Sequence, residues 1–489
     1  MFRPLAAALL ASITLAGCTP TTATVQPAST SFTQVQQDAF AEDLSRRTFA
    51  YFWDTTTPDT CLAPDRWPSN PFSSVAATGF ALTAYGVGVD RGYVTRDEAA
   101  KRTLACMEFY HDLPQGAAET GMGGHNGFFY HFLDAQGRRY KNTELSTVDT
   151  TLLLGGMLFA QSFYDADTPT EARIRDLAEA IYARVDWTWA QRKNTGTASA
   201  NSGNGEAITM GWKPERGWET HDWVGYNEGM LVYILAAGSP THAIDKAAWD
   251  RGWAQRLETD WGSYYGQEHL TFEPLFGHQY SHVWIDFRGL SDAYMATKGI
   301  DYFENSRRAT LAQQAYGADN PNRWTGYSGN MWGWTASDGP GYAKATVNGR
   351  EREFQGYSAR GMSPYAVIDD GTIVPSAAGG SIAFAPRETL SALMTMRAKY
   401  GDRLYSNYGF KDAFNPSYTF TDRPNRGGTV DATTGWVAND HLGIDQGPIL
   451  LMLENHRSEL IWKTMRKNPH VVRGLKKLGF TGGWLDSAK

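Results

Sequence analysis

Two kinds of hydrophobic pattern alternate along this chain. Thr151–Ala160 (TLLLGGMLFA), Gly229–Ala237 (GMLVYILAA) and Pro448–Leu453 are apolar nearly all round, as helices buried on most faces must be. Between them run segments with one wet side. Ile174, Leu177, Ala178, Ile181, Tyr182 and Val185 recur at helical spacing, with Arg173, Arg175, Asp176 and Glu179 on the opposite face. Thr95–Glu98 and Thr168–Glu171 read as capping boxes, the second with Pro169 at the first helical position. Pro386-Arg387-Glu388 opens another helix, which carries Leu390, Leu393 and Met394 and stops at Gly401. Wholly buried helices paired with half-buried ones predict an all-α fold. Its form is a double layer around a central cavity, built as a toroid, with a large irregular helical bundle as the alternative. Strand signals are minor: Ala345–Gly349 (ATVNG) looks like one side of a hairpin turning at Asn-Gly.

Polar motifs stand at the entrances of the buried helices. Glu144–Asp149 (ELSTVD) precedes the first, Tyr226-Asn227-Glu228 the second and Gly443–Gly447 (GIDQG) the third. Each carboxylate alone is accounted for as a charge that suits a helix N-terminus. Three repetitions of one placement point instead to a carboxylate-lined cleft. Glu228 ends the stretch GWKPERGWETHDWVGYNE, where Trp212, Trp218, Trp223 and Tyr226 gather with Lys213, Arg216 and His221. Flat rings cover the apolar faces of sugars, polar side chains hold hydroxyl rims, and a carboxyl group does acid–base work on a glycosidic oxygen. The 17 Trp, 24 Tyr and 23 Phe exceed what one core needs, which agrees with a glycan cleft.

Other chemistries are poorly supported. The net charge of −7 comes without a basic stripe, so nucleic acid is not an expected partner. His278 and His282 have the i, i+4 spacing of a zinc pair, but Gly277 and the missing intervening acid argue against a metal helix, and no metal or other cofactor is expected. Asp286 and Arg288 read as an internal ion pair as readily as substrate ligands. The Gly-rich loops Gly326–Pro340 and Asp370–Gly380 lack the lysine of a phosphate cradle, and no GxSxG elbow occurs. Beyond Cys18, only Cys61 and Cys106 remain, either as a disulfide or as two buried thiols.

The first residues read as an address. Arg3, an apolar run over Leu5–Ile13 and Leu15-Ala16-Gly17-Cys18 resemble a bacterial lipoprotein signal, with Cys18 as the lipidated residue. The expected organisation is a signal peptide over 1–17, a flexible tether over 18–36 and one catalytic domain over 37–489. The expected location is the cell envelope, on the periplasmic face of the outer membrane, with the lipid as the sole membrane contact.

Several long motifs in order carry a family resemblance: GFALTAY (79–85), GFFYHF (127–132), ELSTVDT (144–150), GWKPE (211–215) and GYNE (225–228). FGHQYSHVWIDFRG (276–289), YFENSRRAT (302–310), TASDGP (335–340), AAGGS (377–381) and GIDQGP (443–448) continue the series. From about Phe40 to Thr464 the chain resembles the bacterial glucoamylase-like family, which includes β-1,2-glucanases of glycoside hydrolase family 144. The resemblance implies an (α/α)6 toroid, no metal, and inverting hydrolysis of β-1,2-glucan.

It also implies that Glu228 is the general acid, a role that needs a carboxyl with a raised pKa, partly desolvated and flanked by Trp223 and Tyr226. The base must stand roughly 6.5–9.5 Å away; Asp445 is the first candidate, Asp149 the second, and Asp338 a third. Arg66, His125, Glu144, Tyr226, Tyr280, His282, Trp284, Asp338, Arg360 and Trp436 are the expected substrate contacts. Two other classes stay open: a polysaccharide lyase, which would release unsaturated sugars, and a lipid-anchored glycan-binding protein without turnover.

Overall fold

The structure, a computed structural model, describes residues 32–69, 71–202 and 204–488. The signal peptide, Cys18 and most of the expected tether lie outside the described residues. The Gln34–Thr55 helix begins inside the stretch assigned to the tether, capped by Thr33 and Gln36 in a reciprocal box.

Helices dominate, fifteen of them α among the described residues, while no strand exceeds five residues. The Val75–Asp90, Thr147–Phe163, Met230–Gly238 and Gly443–Arg457 helices are buried over most or all of their length. Val75–Asp90 packs between Thr147–Phe163 and Gly443–Arg457, and Thr147–Phe163 meets Met230–Gly238 on its other side. The first contact is backbone to backbone. A Cβ at Gly79 would stand 2.1 Å from the Leu152 carbonyl oxygen, and one at Gly156 2.1 Å from the Gly79 oxygen, so only glycine fits either place.

Helices with one wet face lie outside this layer. Gln34–Thr55 packs on Val75–Asp90 and Gly443–Arg457, Arg96–Asp112 on Val75–Asp90 and Pro169–Ala183, and Pro469–Leu478 on Met230–Gly238. The capping box at Thr95 and Glu98 forms as read. The one at Thr168 forms by half. Thr168 accepts from the Glu171 N–H, but the Glu171 carboxylate turns away to grip Arg96 at 2.8 Å through both oxygens, because a guanidinium offers it a charged, bidentate partner. The Asn348-Gly349 turn joins Ala343–Val347 to Arg350–Phe354, with both turn residues at positive φ, the backbone of a two-residue hairpin.

Cys61 and Cys106 form a disulfide across 45 residues, tying the loop after the first helix to Arg96–Asp112. Asp286 and Arg288 do pair internally, at 2.8 and 2.9 Å.

Candidate active site

A cavity of about 470 Å³ opens where the buried helices begin. Asp149 lies in the first turn of Thr147–Phe163, with Ser146 as N-cap, and Asp445 in the first turn of Gly443–Arg457. Glu228 closes the turn that leads into Met230–Gly238. Glu228 and Asp149 line the cavity together with Asp65, Arg66, His131, Tyr280 and Tyr357, while Phe72, Phe132 and Phe276 supply apolar walls. Asp445 adjoins it behind the lining residue Ile444. The Tyr280 hydroxyl donates to the Ile444 carbonyl at 3.3 Å, and burial, with the Asp445 carboxyl next in effect, pushes it well above the ordinary tyrosine value.

The Glu228 turn is held from all sides. Asn227 Oδ1 accepts from the Gly229 N–H at 2.9 Å and from Trp253 Nε1 at 3.3 Å; Tyr226 N–H donates to Asp260 at 2.9 Å. Ser281 Oγ donates to the Glu228 carbonyl at 3.3 Å. One carboxyl oxygen is left free: Oε2 is buried and has no hydrogen-bond partner among the described residues, although the carboxyl also accepts from its own backbone N–H. Burial in apolar surroundings pushes the Glu228 carboxyl up to about 7, with the charge of Asp149 adding to the rise. Desolvation disfavours the charged form, so the group is poised to hold a proton near neutrality.

Beside it, His131 bridges two carboxylates. Its Nδ1 lies 2.8 Å from Glu144 and its Nε2 3.4 Å from Asp149. Burial alone would depress this imidazole, but Asp149 and Glu144 override it and hold it up to about 9. Burial works against Glu144 as well, yet His131 holds it down to about 2. His131 is therefore an imidazolium at neutral pH. Asp149, raised by burial and opposed by His131, also accepts from Ser146, so its oxygens are occupied.

The Asp445 side is built differently. Ser376 Oγ donates to Asp445 Oδ1 at 2.9 Å, and Oδ2 has no partner. Asp412 stands against Asp445, and burial raises both carboxyls, Asp412 most. The Asp412 side chain lies close enough to Asp445 that their contact raises Asp412 and lowers Asp445. The Asp338 N–H fixes the other side of Asp412 at 2.8 Å. Arg66 takes up the surrounding charge, 2.8 Å from Asp338 and 3.3 Å from Asp65. Two neighbouring carboxyls resist ionising together, and Asp445 keeps an unpartnered oxygen, so the pair forms a site able to accept a proton.

The family model described as "putative glucoamylase" matches residues 220–469, which contain Glu228, Asp412 and Asp445. A putative glucoamylase of Bacteroides uniformis is 32% identical, with a TM-score of 0.76 over 93% of this chain and 100% of its own. The chain belongs to the putative glucoamylase family. The endo-β-1,2-glucanase of Chitinophaga pinensis, solved with sophorotriose and glucose, is 26% identical to this family member, with a TM-score of 0.75 over 92% of this chain and 99% of its own. An exo-β-1,2-glucooligosaccharide sophorohydrolase of Parabacteroides distasonis is 27% identical over 457 residues, 88% of this chain. This chain spans 56% of that relative's length.

Several expected substrate contacts of this family member are core residues instead. Trp284 is buried against Phe80, with ring centroids 5.2 Å apart, and donates Nε1–H to Thr83 at 3.0 Å. His282 is buried with Nε2 3.0 Å from Ser306 Oγ, and Tyr226 points its hydroxyl at the same Ser306 from 3.2 Å. His278 is likewise used internally, 3.2 Å from the Phe272 carbonyl. Trp436 is wholly buried in a three-stranded sheet.

Arg360 is also wholly buried, gripping Asp370 at 2.7 and 2.8 Å and the Ser337 carbonyl at 2.8 Å. It shapes the turn that carries Asp338 and cannot reach a ligand. His125 stands outside the cavity lining, 5.1 Å from Trp189 and 5.0 Å from Trp212 between ring centroids. Glu144 and Asp338 are at the site, but each is taken by a cation, His131 and Arg66 respectively. Trp223 and Tyr226 flank Glu228 in sequence and serve to fix its turn: Trp223 Nε1 donates to Thr147 at 2.9 Å.

His131, Asp65, Asp412 and Tyr357 are site residues that sequence reasoning missed. His131 lies within the GFFYHF motif and offered a signal. Asp412, alone in a loop between two short strands, offered none.

Proposed function

We propose that this protein is a glycoside hydrolase that cleaves β-1,2-glucan with inversion at the anomeric carbon. The observation that carries the reading is Glu228: a carboxyl on a cavity wall, neutral to about pH 7 and with an unpartnered oxygen, set in the same cleft end as a second carboxyl system at Asp445. The relatives named for β-1,2-glucan and sophorose chemistry supply the linkage.

In the proposed reaction Glu228 gives its proton to the glycosidic oxygen as the bond to the anomeric carbon breaks. A water attacks from the opposite face and loses its proton to Asp445, while Asp412 donates a hydrogen bond that steadies the ionised form. Asp149, the second candidate for the base in the sequence, is assigned a different role. Its negative charge, kept by His131, holds the proton on Glu228. Arg66, Tyr280 and the Phe72, Phe132 and Phe276 walls bind the sugar rings.

The test is a reducing-end assay on linear β-1,2-glucan beside laminarin, starch and cellulose oligomers, with the product anomer read by NMR. New reducing ends from β-1,2-glucan, released first as the inverted anomer, are expected. No turnover of that polymer, or first release of the retained anomer, overturns the reading.

The layered helices fit a closed (α/α)6 toroid, formed by residues 37–489 as one catalytic domain. We further propose that the chain is lipidated at Cys18 and held at the periplasmic face of the outer membrane. A Cys18→Ser variant that leaves the detergent phase on partitioning supports this, and one that stays there refutes it.

A further inference from the structure

Beyond the cavity, a strip of unburied aromatic surface runs outward. Apart from Val35, the strongly exposed large apolar side chains among the described residues fall between 342 and 367, and Tyr342 is 77% exposed. Tyr357 is 46% exposed although it also lines the cavity. Tyr342 enters the Ala343–Val347 strand of the hairpin, and Tyr357 follows its Arg350–Phe354 partner. The two segments are joined at their base, where Gly341 N–H donates to Gln355 O at 3.1 Å.

Arg426 completes the strip. A methyl built at Gly356 would lie 3.3 Å from Tyr342 Cε2 and 3.6 Å from Arg426 Nη1, so ring and guanidinium converge beside Tyr357. The strip borders the cavity through Tyr357, a lining residue, and at its other end a Cβ at Gly427 would stand 3.9 Å from Asp338 Oδ2, the carboxylate that the lining residue Arg66 holds. The loop is pinned in this position. Arg426 N–H donates to Pro340 O at 2.9 Å, Asn439 N–H to Gly427 O at 2.9 Å, and Arg423 Nη1 to Lys344 O at 2.9 Å.

Exposed tyrosine faces cost solvation and add nothing to the core. Placed on a pinned rim beside a guanidinium, they offer a flat amphipathic surface and a fork of hydroxyl-directed donors. We propose that Tyr342, Tyr357 and Arg426 form an outer sugar subsite that holds a neutral glucan chain past the rings gripped at Glu228. This rests on the glucan reading above and makes the enzyme selective for chain length. A free anion is a poor fit, because the Asp338 carboxylate lies next to Gly427, the residue after Arg426.

The test uses the full chain and linear β-1,2-glucooligosaccharides of defined length. Tyr342→Ala and Arg426→Ala should each raise KM for long substrates roughly tenfold, the scale of one lost aromatic or charged contact. The shortest substrate cleaved should keep its KM, kcat should hold at every length, and Tyr342→Phe should behave as the parent. In a Glu228→Gln background, calorimetry should show the same length-dependent loss of binding. An equal change at all lengths, or none at any, overturns the subsite. No turnover by the parent at any length overturns the hydrolase reading, and the subsite with it.

Discussion

The two walls of the cavity use one residue type to opposite ends. On the Glu228 wall a buried carboxyl keeps one unpartnered oxygen, and its neighbour Asp149 is pushed up by burial and pulled back by His131 at 3.4 Å. On the Asp445 wall two carboxyls press together and burial raises both, Asp412 most, while Arg66 pairs with Asp338 and Asp65. Burial raises both Glu228 and Asp445 to about 7, and in the proposed reaction the first arrangement serves as proton donor and the second as proton acceptor. Environment, not residue identity, assigns the roles.

The largest effect expected from breaking this comparison is at Glu228. Glu228→Gln should lower kcat about 10³-fold, within the range of general-acid loss, with glucan affinity in calorimetry unchanged; activity within tenfold of the parent would remove Glu228 from the acid role. Asp445→Asn should cost on the order of 10²-fold or more in kcat. Asp412 should behave as an assistant. Asp412→Ala removes the hydrogen bond that lowers Asp445, so the acidic limb of the kcat/KM profile should move to higher pH, and Asp412→Asn, which can still donate, should restore it. If Asp412→Asn is as inactive as Asp445→Asn, the two walls are not built as described.

A smaller effect sharpens the other wall. Activity should fall as pH rises through about 7, where Glu228 loses its proton. Asp149 raises that value, so Asp149→Asn should bring the alkaline limb down; an unmoved limb would mean that Asp149 carries no charge at working pH.

The smallest effect is on stability. Glu228 is raised from the ordinary 4.5 to about 7 in the fold, so its ionisation costs stability as pH climbs between those values, and that cost is complete above the higher one. Glu228→Gln should therefore melt later than the parent at pH 8, by the equivalent of about 1–3 kcal/mol, and with little difference at pH 4. An equal shift at both pH values would contradict a buried neutral acid.

The local rules carried far into the fold. All-round apolarity marked the inner helices at Thr147–Phe163, Met230–Gly238 and Gly443–Arg457, and the capping residue Thr95 and the Asn348-Gly349 turn lie where their chemistry puts them. Three carboxylates at helix entrances were also legible, because each sits in or beside a first turn. The aromatic contacts were not. Trp284, His282 and Trp436 look the same in sequence whether they face a sugar or a Phe80, a Ser306 or a sheet. Arg360 reads as a free cation until Asp370 is found against it.

By itself, then, the sequence determined the alternation of buried and half-buried helices, the family and the placement of Glu228, Asp149 and Asp445, all of which follow from short-range periodicity and local motifs. Only the tertiary structure decided what surrounds each carboxyl and so how far its proton affinity is shifted. That depends on His131 arriving 18 residues before Asp149, on Asp412 meeting Asp445 from a separate loop, and on Arg66 crossing to Asp338. Burial and charge act through space at a few ångströms, and the chain order carries no record of those distances until it folds.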